Sequence, residues 1–244
     1  MPKPHRDNYL KKNFILASLP PDELEILQPY IRVAWMTPED LLYRANETVE
    51  YLYFPVTAML SWIATTNEGE RVEVGVVGWE GIVGVPEMLD YKIAPFTAEV
   101  ELPGDVVRIR ADRFKQSFNR VPSIQKLLFR YTYTTLAQLA QSSVCNRFHT
   151  VEERMNRWLL MAHDRCESDE LMLTQEILAG MIGARRPAVN IVTGNLQKAG
   201  FIRAERGKIT VLDREGMEQS ACECYRVIRQ AFDRFIEQTV DPNS

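Results

Sequence analysis

Apolar residues change their spacing three times along the chain. In 14–31, Leu24, Leu27 and Ile31 recur at intervals of three and four, which predicts short helices. From about Arg32 to Arg110 the pattern becomes a series of short β-rich runs, with examples at 51–55, 58–65, 72–77 and 97–102. Turn signals separate them, namely Asn67-Glu68-Gly69-Glu70, Gly78-Trp79-Glu80-Gly81 and Pro103-Gly104-Asp105. Many short strands at near-regular spacing predict a sandwich or barrel of the jelly-roll kind. Past Ala111 the spacing is helical again. Phe114 and Phe118 lie one turn apart, and Pro122-Ser123 opens a stretch without Gly or Pro up to Val151. Ser123 is the expected N-cap. Ile124, Leu127, Leu128, Tyr131, Leu136 and Leu139 supply one apolar stripe. Thr134, Thr135, Ala137, Ala140, Ser142 and Ser143 are small enough for a partner helix to approach, and a second copy of the chain fits that role.

A third texture starts at Thr150. Thr150-Val151-Glu152-Glu153 has the form of a capping box, followed by Val151, Met155, Trp158, Leu159 and Ala162 on one helical face. After a charged loop at 163–170 come two short helical patterns, 174–182 and 186–199, split by Gly183. A hairpin is predicted from 202–205 and 208–212, turning at Arg206-Gly207, and Asp213 is expected to cap a single last helix to about Val240. The fold class is therefore α+β. Residues 1–119 form helices and a jelly roll, 120–149 a long helix, and 150–244 a winged helical domain.

Composition narrows the classes. The 244 residues are 45% hydrophobic and 25% charged, ordinary for a globular chain, with a net charge of −4. Bulk positive charge of a histone-like kind is absent, so any nucleic-acid role rests on a local patch. No apolar run reaches the ~18 residues of a membrane helix. The opening residues Met1-Pro2-Lys3-Pro4-His5-Arg6-Asp7 precede no apolar h-region. The cysteines, at 145, 166, 222 and 224, form no secreted-type framework. A cytoplasmic protein with reduced thiols and no membrane contact is expected.

The segment from Leu173 to Ile202 carries the chemistry. Thr174 can cap a helix with Ile177, Leu178 and Met181 inward, and Gly183 turns the chain. Pro187 suits the first turn of the next helix, which buries Val189, Val192 and Leu196 and ends at Gly200. Arg185, Arg186, Pro187, Asn190 and Ile191 are left toward its outer N-terminal end. A helix-turn-helix presents that end to the major groove, where Arg and Asn read base edges bidentately. Residues 181–210 hold Arg185, Arg186, Lys198, Arg203, Arg206 and Lys208 against Glu205 alone, which is 6 − 1 = +5 in a chain of −4. Arg206 and Lys208 are expected on phosphates as a wing, and Thr174 and Gln175 likewise at the start of the first helix. The alternative is a winged domain used for protein contact.

The order of barrel, long helix and winged helix-turn-helix, with Leu173-Thr174, Gly183, Arg186, Val189, Leu196 and Gly200-Phe201-Ile202, resembles the Crp–Fnr family of bacterial transcription regulators. The resemblance spans about residues 15–240. It implies a homodimer joined along the long helix, a two-fold operator in double-stranded DNA, contact with RNA polymerase, and a small-molecule signal in a cyclic-nucleotide-binding-like barrel. The chain departs from the family in two places. Relatives that read a 5′-TGTGA-like half-site carry Arg, Glu and Arg on the recognition helix. Here Arg186 holds the first place, but Pro187 replaces the Glu and Ile191 the second Arg, so a different operator is expected. Cyclic-nucleotide binders carry Gly-Glu and Arg-Ser or Arg-Thr pairs, and the corresponding positions are Gly84-Val85 and Phe96-Thr97. A phosphate anion beside Val85 and Phe96 would lack a counter-charge. Glu80 and Glu87 flank the segment and could reach only a ribose.

Other cofactors find no ligands. No cysteine precedes Cys145 to hold the family's iron–sulfur cluster, and 14–119 lacks His and Cys for a haem. A zinc site from His163-x-x-Cys166 and Cys222-x-Cys224 is disfavoured, because i and i+2 on a helix point to different sides. His149 is read as a surface residue near the junction before the winged domain. Catalysis is not expected. There is no nucleophile elbow, P-loop or dinucleotide fingerprint, and Gly75, Gly78, Gly81 and Gly84 recur within strand-rich sequence rather than at a helix start.

Overall fold

A computed structural model describes residues 6–240 apart from Glu39, Asp90, Lys92 and Asn119, with the side chains of Arg6, Asp7, Asn8 and Glu87 also outside the description. Three short helices, α1 (Arg6–Lys12), α2 (Phe14–Ala17) and α3 (Pro21–Leu27), precede the strands. Two antiparallel sheets then face each other. One has the order β1-β7-β3, from Arg32–Met36, Gly104–Arg110 and Tyr51–Pro55. The other has the order β2-β6-β4-β5, from Leu41–Tyr43, Thr97–Leu102, Met59–Thr65 and Arg71–Val77. Leu52, Phe54, Leu60, Val76, Val107 and Ile109 are buried between them. The jelly roll expected from the many short strands is thus present. Helix α4 (Ala111–Phe118) closes one end, with Phe114 tilted against Phe54.

The long helix α5 runs Pro122–Phe148. Ser123 is not its N-cap, contrary to expectation. Val121 occupies the cap, and Glu23 of α3 accepts from the Ser123 backbone N–H at 3.1 Å and from its hydroxyl at 3.0 Å. A carboxylate from a distant element suits the positive end of the helix. The expected single stripe is also corrected. Ile124, Leu127, Leu128 and Tyr131 are buried on the chain's own barrel, with Thr134, Gln138, Ser142 and Cys145 continuing that face. Phe129, Tyr133, Leu136, Val144 and Phe148 lie on the outside, with Leu136 63% exposed.

Helix α6 (Val151–His163) opens with the predicted capping box: Glu153 accepts from the Thr150 N–H at 2.8 Å and the Thr150 hydroxyl accepts from the Glu153 N–H at 3.3 Å. Helices α7 (Gln175–Met181) and α8 (Arg186–Lys198) follow, then a three-stranded sheet of β8 (Glu170–Leu171), β10 (Lys208–Val211) and β9 (Ile202–Glu205). Met155, Trp158, Leu178, Val189, Val192, Leu196 and Met217 form this domain's core. The single last helix of the sequence reading is two: α9 (Arg214–Ser220), capped by Asp213 as expected, and α10 (Glu223–Val240). Ala221 turns extended between them (φ −72, ψ 150), so that the Tyr225, Ile228, Phe232 and Phe235 stripe of α10 can lie along α5 while Met217 stays in the winged core.

Candidate nucleic-acid interface

The helix pair forms as its residues dictate. The Thr174 hydroxyl accepts from the Ile177 N–H at 3.1 Å, and Gln175 begins α7 beside it. Gly183 adopts φ +58, a conformation that glycine takes at no steric cost. Arg154 of α6 fastens the turn by donating to the Ile182 carbonyl at 2.8 Å. The Arg185 backbone caps α8 and Pro187 sits in its first turn. Val189, Val192 and Leu196 are buried, while Arg185, Arg186, Pro187, Asn190 and Ile191 face solvent, Ile191 at 67% exposure. An exposed isoleucine beside two arginines at a helix N-terminus combines apolar contact, bidentate donors and a positive dipole end. Arg186 keeps only a loose, exposed contact with Glu176 at 3.8 Å. Arg185 and Arg186 also line an open cleft of about 1030 Å³ whose far wall is the β4–β5 turn, including Gly69, Glu70 and Arg71.

The wing is less basic than its sequence suggests. Lys208 lies 2.8 Å from Glu170 and 3.6 Å from Glu205, with its side chain only 26% exposed. Arg203 pairs with Glu205 at 3.6 Å. Arg206, at the turn with Gly207 (φ +75), is exposed and has no ion pair among the described residues. The pairing partner Glu170 sits on β8, at the end of the stretch expected to be a charged loop.

In the barrel, Gly84, Val85 and Phe96 line one small cavity of about 140 Å³ with Tyr43, Trp62, Tyr131 and Leu139. Thr97 is not among its lining residues, and its hydroxyl instead accepts from the Ala45 N–H at 3.2 Å. No charged side chain lines the cavity among the described residues. Glu80 is committed elsewhere, in a buried pair with Arg165 at 2.7 Å, and Glu87 lies outside the described side chains. Gly84 has φ +104, and a Cβ there would come 2.6 Å from the Tyr51 carbonyl oxygen. The glycine therefore serves close backbone packing.

Barrel and winged domain meet over buried charge. Arg165, just past α6, donates to Glu80 at 2.8 Å and to the Met161 carbonyl at 2.9 Å, and Gly78 leaves the space its side chain fills. The Trp158 indole N–H and the Ser61 hydroxyl both donate to Glu73 of β5. Burial pushes Glu73 up to about 7 against the pull of Arg157, and burial followed by the charge of Glu73 holds Glu101 well above the usual carboxylate range. This interface is not found by sequence analysis, since no spacing rule links a Glu on one domain to an Arg on another.

The cysteines sit otherwise than a continuous last helix predicts. His163 and Cys166 do not pair as ligands: His163 contacts Asp169 at 2.7 Å and Arg214 at 2.7 Å, and burial pushes the Cys166 thiol up to about 11. Cys222 is not on a helix, so the i, i+2 argument against it fails. Together with Cys224 it meets Cys145 and His149, and the ligand atoms of all four lie within 4.8 Å of one another.

These features define a winged helix-turn-helix protein whose DNA-binding domain hangs from a jelly roll through a long helix. A family model for the Crp-like helix-turn-helix domain matches residues 153–220, and one for the cyclic nucleotide-binding domain matches 34–121. The chain belongs to the Crp–Fnr family and is a DNA-binding transcription regulator. Solved structures with this fold include FixK2 from Bradyrhizobium japonicum, at 15% identity and TM-score 0.67, covering 79% of this chain and 98% of that one. The c-di-GMP responsive regulator CLP of Xanthomonas campestris is 17% identical with TM-score 0.61, covering 79% and 99%. A CRP-family transcriptional regulator from Thermus thermophilus is 18% identical with TM-score 0.62, covering 77% and 96%. A search of curated protein sequences finds no match to this chain. No helix among the described residues is long and apolar enough to cross a membrane.

Proposed function

We propose that this regulator acts as a homodimer on a two-fold-symmetric operator, without catalytic activity and without control by cyclic AMP. The observation that carries the DNA reading is the outward stripe of α8. Arg185, Arg186 and Asn190 are free to read base edges, with Ile191 against a thymine methyl and Pro187 fixing the first turn. Thr174 and Gln175 of α7 and Arg206 of the wing contact phosphate, and Lys208 contributes little while Glu170 holds it. The outer face of α5 supports the dimer. Phe129, Tyr133, Leu136, Ala140 and Val144 are exposed at spacings of four, three, four and four, a near-heptad seam that a second copy would bury. Two recognition helices on such a seam would address grooves ~34 Å apart.

The apolar cavity beside Gly84, Val85 and Phe96 disfavours an anionic nucleotide, because its lining offers no counter-charge among the described residues. Any effector there is small and apolar, and acts by shifting the population of dimer geometries. Contact with RNA polymerase follows by analogy with the family, in the cytoplasmic compartment that holds the DNA.

Selection from a random DNA pool with the purified full chain tests the reading. A two-fold site and a steep fall of affinity with salt are expected. Arg185→Ala or Arg186→Ala should weaken that site by about 1–3 kcal/mol if each reads a base bidentately. Failure to enrich any site, with a variant-insensitive protein partner captured by the winged domain, would favour the protein-contact alternative.

A further inference from the structure

The C-terminal end of α5 and the break before α10 converge on a side-chain cluster that DNA binding does not use. Cys145 and His149 are one helical turn apart, with His149 in the C-cap position of α5. Cys222 sits in the break between α9 and α10, and Cys224 in the first turn of α10. The sulfurs of Cys145 and Cys222 are 3.7 Å apart, and that of Cys224 is 3.4 Å from Nδ1 of His149. A tetrahedral zinc ion with Zn–S of ~2.3 Å and Zn–N of ~2.0 Å has S···S edges of about 3.8 Å and S···N edges of about 3.5 Å. We propose that Cys145, His149, Cys222 and Cys224 form a Cys3His site for a single tetrahedral soft divalent cation, zinc foremost.

The surroundings suit that role. All three cysteines are buried, yet they pack on one another as a group separate from the main apolar core. Filling space would not collect them there with a histidine. Nδ1 of His149 faces the sulfurs, while Nε2 lies 3.4 Å from the Glu223 carboxylate. That carboxylate would hold the ring proton on Nε2 and leave Nδ1 as the ligand. Gln141 donates to the Cys224 sulfur at 3.0 Å, as a partner that fixes a thiolate would. Three thiolates and one divalent ion leave a charge of −1, and the buried Arg157 beside Cys145 offsets it. On binding, each thiol releases its proton to solvent as its sulfur–metal bond forms, with no change of oxidation state. A disulfide between Cys145 and Cys222 would leave Cys224 and His149 without a role. The ion would fasten the end of the long helix to the α9–α10 segment of the DNA-binding domain.

The test uses the full chain, reduced and stripped by a chelator, titrated with cobalt(II) alone and then with zinc. One equivalent of cobalt should give the ligand-field bands of a tetrahedral site and a thiolate-to-cobalt charge-transfer band, both lost on adding zinc. Cys166→Ser should keep the spectrum, while Cys224→Ser should lose the tetrahedral bands. Glu223→Gln should lower zinc affinity about 10- to 100-fold with an unchanged circular dichroism spectrum. A reduced wild-type chain that gives no charge-transfer band, or only a weak octahedral cobalt spectrum, overturns the proposal whatever the variants do. So does a mass lower by two hydrogens that maps to a Cys145–Cys222 disulfide under reducing purification. The readout is the metal itself, so a chain that reads no DNA leaves the outcome untouched.

Discussion

Replacing Glu73 by Gln should make the protein's stability less dependent on pH, in a predictable direction. Glu73 lies fully buried between β5 and α6. The groups around it are the Trp158 indole and Ser61 hydroxyl as donors, Arg157 and Arg165 as cations, and Glu101 as a second buried carboxyl. Burial outweighs the cations and raises Glu73 from 4.5 to about 7. Between those values the folded chain holds a proton that the unfolded chain has lost. Folding is therefore favoured fully below about pH 4.5, and that contribution disappears as pH rises through 7. Raising the carboxyl from 4.5 to about 7, at ~1.4 kcal/mol for each tenfold change in proton affinity, amounts to roughly 3 kcal/mol. Gln keeps the shape and still accepts from Trp158, but carries no charge at any pH. Urea denaturation followed by tryptophan fluorescence at pH 5 and pH 8, at constant ionic strength, reads the difference. The variant should lie within about 1 kcal/mol of the wild type at pH 5 and gain roughly 3 kcal/mol on it by pH 8. Removing the Glu73 charge also eases ionisation of Glu101, which acts in the same direction. A difference between the two proteins that stays constant with pH, or moves toward the wild type as pH rises, would show that Glu73 is ionised throughout and held by Arg157, and the reasoning would fail.

Three further outcomes are expected. Leu136→Lys on the outer face of α5 should convert a dimer to a monomer in light scattering while leaving the far-ultraviolet circular dichroism unchanged; a dimer that persists would remove the seam from the assembly. Gly84→Ala should cost about 1–3 kcal/mol in unfolding free energy, because φ +104 and the Tyr51 carbonyl both exclude a Cβ, and an unchanged midpoint would contradict the close packing. Arg206→Ala should reduce the slope of log affinity against log salt by about 1, and Lys208→Ala by clearly less, since Glu170 and Glu205 already occupy its charge; equal effects would mean that DNA displaces those carboxylates.

Periodicity, turn signals and capping residues located most of this fold. Four strands of the barrel, the capping box at Thr150, the turn at Gly183 and the inward positions Val189, Val192 and Leu196 obey local rules and were legible from sequence, whereas β1, β2 and β7 were not singled out and Gly104, expected in a turn, opens β7. Where a distant residue overrides a local rule, the reading failed. Ser123 looked like a cap, but Glu23 from α3 accepts from its backbone N–H at the start of α5. Leu136 looked like part of one stripe, but a long helix that serves both its own barrel and an outer surface needs two. Glu73, Arg157 and Arg165 drew no reading, and Glu80 was expected only as a possible ribose contact, because nothing in sequence marks a charge whose partner lies on another domain.

The α9–α10 break shows how one such failure propagates. A continuous helix over 214–240 would have placed Cys222 and Cys224 on different sides, and the expectation that they chelate poorly followed from that premise. Ala221 in extended conformation removes the premise, because it takes Cys222 off the helix and lets α10 turn its aromatic stripe onto α5. The same turn sets Cys222 and Cys224 against the last turn of α5, where Cys145 and His149 already share a face at i and i+4. That spacing was a sequence signal beside Cys222-x-Cys224, since a Cys and a His four apart on a predicted helix can hold one ligand between them. A chain break that serves only packing could have put any small residues at these positions. Here it brings three sulfurs and an imidazole nitrogen within 4.8 Å, so the break and the cluster are best understood as one feature of the joint between long helix and DNA-binding domain.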